Sequence, residues 1–264
     1  MHPASVLPDW FATLSPVAQA GLAGVGTWLV TAVGAVPVLF IHTVPRRAMD
    51  ASMGFAGGIM VAAACWSLLA PALALGGVWP AVGGMLAGAG LIYVLDQRLP
   101  HLHPEFPDEA HPEGPRLAWR RSALLMAAIT MHNLPEGLAV GVSFGGGDAG
   151  AAAALAIGIG LQNLPEGLAV ALPLRRDGMS RWRALWYGQL SAVVEPAAAL
   201  VGAWVVALAG PLLPFGLALA AGAMLYVVVE ELIPETARSG NVDVATIGFI
   251  AGFAVMMALD NVMR

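Results

Sequence analysis

Eight apolar runs of roughly 20 residues each fill most of this 264-residue chain. A helix of that length spans the hydrocarbon core of a bilayer, about 30 Å at 1.5 Å per residue. Hydrophobic residues make up 58% of the chain and charged residues 11%, against about 25% charged in soluble domains. Mean hydropathy is +0.76. The runs are continuous instead of alternating, which argues against a β-barrel. The expected fold is therefore all-α, a polytopic membrane protein forming one transmembrane domain over residues 1–264, with lipid as its main solvent. The spans fall at about 20–41, 52–75, 78–97, 118–144, 148–172, 183–209, 212–235 and 243–263. Between the third and fourth lies a Pro-, His- and acid-rich segment, 98–117, expected as a loop because it cannot bury a core.

Arginine distribution orients the spans, since the chain has no lysine. Arg46 and Arg47 fall in the first loop, and Arg98, Arg116, Arg120 and Arg121 flank the third. Arg175, Arg176, Arg181 and Arg183 fill the fifth, and Arg238 lies in the seventh, so 11 of the 12 share one side. The positive-inside rule makes that side cytoplasmic and places both termini outside. A single cysteine, Cys65, excludes a disulfide framework within one chain. The start Met1-His2-Pro3 lacks the basic n-region of a cleaved signal peptide, so the first helix is expected to be retained. No basic stripe points to nucleic acid.

A nine-residue motif occurs twice. His132-Asn-Leu-Pro-Glu-Gly-Leu-Ala-Val140 returns as Gln162-Asn-Leu-Pro-Glu-Gly-Leu-Ala-Val170, with eight of nine positions equal. The copies lie in consecutive spans that run oppositely, the arrangement of inverted-repeat transporters with sites near the midplane. Each copy places polar residues at i, i+1 and i+4: His132, Asn133 and Glu136, then Gln162, Asn163 and Glu166. Helical residues four apart are neighbours, so His132 with Glu136, and Gln162 with Glu166, can each grip one ion. Pro135 and Pro165 are expected to loosen the helices at Met131 and Leu161. Glu195 sits at the same depth in the sixth span.

A charge at mid-bilayer costs at least about 2.5–3.5 kcal/mol. Three carboxylates gathered there require something positive, and no arginine lies at that depth, leaving metal ions or protons. One imidazole with carboxylate and amide oxygens suits zinc, iron(II), manganese, cobalt or cadmium better than copper(I). Three carboxylates against one divalent ion leave −1, so either a second ion or one protonated carboxylate is expected. The competing reading of the cluster is a polar network that only fixes helix packing.

The paired [HQ]NLPEG motifs, Glu195 in Gln-Leu-Ser-Ala-Val-Val-Glu-Pro, and Glu231 in Glu-Glu-Leu-Ile-Pro-Glu resemble the ZIP (zinc- and iron-regulated) transporters, nearest their GufA-like bacterial branch. The resemblance spans all eight runs. It implies a homodimeric importer of divalent metal, zinc foremost, in a bacterial inner membrane. It also implies that spans one, four, five and six move as a block against the others. Carried onto this chain, it makes His132, Glu136, Gln162, Glu166 and Glu195 metal ligands, with Asn133 and Asn163 at an adjoining site. Met60 matches a position where some relatives place a thioether near the metal, although methionine also fills gaps in apolar cores. Glu231 falls on the exit path. Two departures are neutral Asn163, where some bacterial members have Asp, and Glu230, where many relatives have His.

His101, His103 and His111 could collect metal in the loop, or be plain loop residues. Asp148 and Asp260 are expected as solvated caps at the outer ends of spans. Gly54 with Gly58, and Gly84 with Gly88, are expected to mark close helix packing. A transporter needs no catalytic residues or resident cofactor. The alternatives are an intramembrane metal-dependent hydrolase, disfavoured because HxxxE is not HExxH, and a metal sensor.

Overall fold

In the computed structural model, which describes residues 7–98, 121–238 and 240–263, the chain is helical with no strand among those residues. The histidine-bearing loop with His101, His103 and His111, along with Met1-His2-Pro3, Arg116 and Arg120, lies outside the described residues. Among the described residues, seven helices are long and apolar enough to cross a membrane: α1 (Pro16–Leu39), α2 (Arg46–Gly76), α3 (Val78–Arg98), α5 (Ala149–Arg176), α6 (Arg181–Leu208), α7 (Gly210–Ala237) and α8 (Val242–Met263). Between them α4 (Arg121–Gly145) runs for 25 residues and carries the first motif copy. The bounds follow local chemistry. Ser15 caps α1, accepting from the Ala18 amide at 3.3 Å just before Pro16. Gly147, at φ 85°, and the exposed cap Asp148, which accepts from the Ala151 amide at 3.0 Å, turn the chain from α4 into α5. Asp148 is thus a solvated cap as expected.

Small residues decide which helices touch. A Cβ added at Gly54 or Gly58 would strike the carbonyls of Ala245 or Phe249, seaming α2 to α8. One at Gly84 or Gly88 would strike Phe215 or Leu219, seaming α3 to α7. Gly141 meets Ala199, joining α4 to α6, and Gly34 and Gly167 meet Leu164 and Thr31, joining α1 to α5. Exchanging the first three helices with the last three, and α4 with α5, maps these pairs onto one another, so the inverted repeat extends beyond the duplicated motif. The pairs assemble into two groups. One contains α1, α4, α5 and α6, and the other α2, α3, α7 and α8. Large apolar side chains on the outer faces, such as Ile247 at 70% and Val262 at 74% exposure, suit lipid and not water. This is an integral membrane protein.

Two expectations about local structure change. Pro135 and Pro165, expected to loosen the helices at Met131 and Leu161, lie within continuous helices, where Gly137 and Gly167, two residues on, let a neighbouring backbone close against each helix. The interruptions fall elsewhere. Residues 191–193 form a turn within α6, where the ring of Pro196 would clash with the Ala192 carbonyl. Wide π-helical turns occupy Ala63–Leu69 of α2 and Val228–Leu232 of α7, helices that are partners under the repeat. Asp260 is also not a solvated cap. It is 4% exposed and accepts from Ser67 Oγ at 2.8 Å, because the glycine seam draws α8 against α2.

Candidate metal site

The two motif copies face each other in the middle of α4 and α5. Asn133, Glu136, Asn163 and Glu195 have no exposed surface, Gln162 has 1%, and His132 has 8%. Gln162 Nε2, from the second copy, donates to Glu136 Oε1 of the first. Asn163 Nδ2 donates to both oxygens of Glu195, at 3.0 and 3.1 Å, and to the Thr27 carbonyl at 3.2 Å. Gly137 brings α6 up to Glu136, since a Cβ there would lie 2.8 Å from Glu195 Cα. Glu136, Glu166 and Glu195 thereby come close enough to feel one another's charge. All five residues expected as ligands, and both asparagines, fall in this one region.

The site contains more acceptors than donors. Glu136 Oε2, Gln162 Oε1, Asn163 Oδ1, Glu166 Oε2 and both polar atoms of Asn133 are buried without a hydrogen-bond partner. Each such atom costs about 1–3 kcal/mol, so their concentration in one place demands an explanation. Five are oxygens at hand for a hard or borderline cation, and the His132 imidazole adds nitrogen. Among the described residues no three His, Cys, Asp or Glu side chains converge closely enough to hold an ion by themselves. Amide oxygens would have to complete the shell.

Below the motifs lies a cavity of about 480 Å³, lined by His132 and Glu166 from the site, Glu231 and Glu235 from α7, and Arg46 and Arg176 nearer its mouth. Glu231, expected on the exit path, pairs with His132 Nε2 and is only 8% exposed. It stands next to the site itself, while its neighbour Glu230 accepts from the Tyr226 hydroxyl at 2.9 Å. Met60 is buried in the apolar core beside Ile59 and does not line this cavity. Sequence reasoning missed Thr27, whose only signal was a hydroxyl inside an apolar span. It also missed the Arg46, Asp50 and Glu235 cluster, whose members look like ordinary interfacial charges in sequence.

Two groups of helices, each related internally by the inverted repeat, together with opposed copies of one motif around a buried polar centre, define, by class, an inverted-repeat membrane carrier. A family model described as ZIP zinc transporter matches residues 108–260. The chain is 42% identical to zinc transporter ZIP11 of Homo sapiens over 93% of this chain and 97% of that protein. It is 40% identical to zinc transporter GufA of Myxococcus xanthus, over 90% and 95% of the two chains. Identity is also 40% with zinc transporter ZIPB of Bordetella bronchiseptica, over 94% and 82%. The chain belongs to the ZIP family.

Proposed function

We propose that this protein imports a divalent transition metal, zinc foremost, into the cytoplasm by alternating access through the mid-membrane site. Iron(II), manganese, cobalt and cadmium fit the same mixed donor set. The observation that carries this reading is the concentration of partnerless oxygens on Glu136, Gln162, Asn163 and Glu166. A network serving only to fix helix packing would pair those atoms with one another. His132, Glu136, Gln162, Glu166 and Glu195 are the proposed ligands, with Asn133 and Asn163 adjoining. Met60 is a weaker candidate, and Glu231 receives the ion from His132 on its way out.

With eight crossings and the arginines inside, the cavity lined by Arg46 and Arg176 opens to the cytoplasm and both termini face outward. The group of α1, α4, α5 and α6 carries every proposed ligand except Met60 and Glu231, so displacing it against the other four helices would carry the metal. The functional unit is a homodimer in a bacterial inner membrane. No step requires catalysis.

Proteoliposomes loaded with a zinc-sensitive dye test the proposal. Zinc uptake should be abolished in Glu136→Ala and His132→Ala while both variants remain inserted. Normal uptake in both would remove the site from the mechanism.

A further inference from the structure

Arg46 opens α2, and its guanidinium reaches two carboxylates at once. Its Nε lies 3.0 Å from Asp50 Oδ1, one turn along the helix, and its Nη2 pairs with Glu235 near the end of α7. Asp50 is 1% exposed and takes a further hydrogen bond on Oδ2 from Asn241 Nδ2 at 2.9 Å. A cation in the first turn works against the helix dipole, so this position does not serve the stability of α2. Arg46 and Glu235 instead line the cavity that holds His132, Glu166 and Glu231. Glu235 follows Glu231 by four residues on α7 and lines the same cavity.

We propose that Arg46 sets the release of the metal. Its tethered charge is shared between Glu235 and Asp50, so that the departing ion meets a carboxylate pair whose charge is halved and is held less tightly on its way out. A guanidinium and a divalent ion compete for the same carboxylate oxygens, and a carboxylate already held by arginine is a poor ligand. Arg46 is thus a positioning residue for the exit step, not a ligand. The inference rests on the carrier reading above.

Zinc uptake into proteoliposomes, and zinc dissociation from purified protein into a chelator, separate the possibilities. In Arg46→Gln, dissociation and maximal uptake should both slow by at least about 5-fold while KM falls, the size of an ordinary coupling between sites. Arg46→Lys, which keeps the charge, should remain within about 2-fold of the parent. Arg46→Gln combined with Glu235→Gln should recover most of the rate. Glu235→Gln alone leaves the arginine balanced by Asp50 only, removes the residual negative charge of the pair and should raise KM, which keeps the idea testable if Arg46→Gln folds poorly. Parental kinetics in Arg46→Gln, a double variant as slow as the single one, or an unchanged KM in Glu235→Gln would each overturn the proposal. Absence of uptake by the unsubstituted protein would instead remove the carrier reading itself.

Discussion

Gly137 offers a test of how the site is assembled. A methyl group there would lie 2.8 Å from Glu195 Cα and 2.8 Å from Ala198 Cβ, whereas carbon atoms pack at about 3.5–4.0 Å. Gly137→Ala must therefore push α6 from α4 by on the order of 1 Å, and Glu195 retreats from Glu136 by the same amount. Forcing a methyl into packed contact costs about 1–3 kcal/mol, partly offset by about 1 kcal/mol of helix propensity. Thermal stability in detergent should change little, or fall by at most about 2 kcal/mol. Metal handling should suffer more, because outer positions that orient ligands typically cost about 10–100-fold in affinity. Gly26→Ala is the internal control, since nothing lies within 4 Å of its added methyl. It should leave transport unchanged. The two variants are compared by thermal unfolding and by zinc titration. Parental zinc affinity in Gly137→Ala would refute the view that this glycine sets the distance between Glu136 and Glu195.

Two further outcomes are expected. Asn133 is fully buried with neither polar atom partnered, so Asn133→Leu should stabilise the metal-free protein by about 1 kcal/mol while weakening zinc binding. Thermal unfolding with and without zinc measures both, and a destabilised variant with parental affinity would contradict the adjoining-site role. Zinc affinity should also fall steadily from pH 7.5 to 5, because imidazole and carboxylate donors must shed protons to ligate. Calorimetric titration at several pH values checks this, and a flat profile would count against His132.

The spans and the midplane cluster were legible because each rests on one strong constraint, the length of an apolar run and the cost of a carboxylate in hydrocarbon. The helix bounds agree with the structure to within several residues, and the seven ligand and adjoining positions meet as the spacing of the two motif copies requires. The pairing of Glu231 with His132 was not legible, because which face of α7 meets α4 cannot be counted from sequence. The wide turn at Val228–Leu232 alters the facing of that stretch. Asp260 was misjudged because an apolar span does not announce which face is covered, and Gly248 and Gly252, pressed on Ala51 and Phe55, decide that. The prolines suggested loosened turns in α4 and α5, but the effect of a proline depends on what packs against it.

The glycine seams also have a mechanical meaning. Within each group of four helices the tightest glycine contacts rest on a neighbouring backbone, as at Gly58, Gly88, Gly141 and Gly167. Across the groups the neighbours of glycines are side chains, such as Met256 at Gly158 and Val142 at Gly216. Among the described residues, Gly150 against the Met263 carbonyl is the one such backbone contact between the groups, at the far ends of their helices. Contacts within each group are thus set largely by rigid backbone and contacts between the groups largely by side chains, which can change rotamer while every helix stays intact.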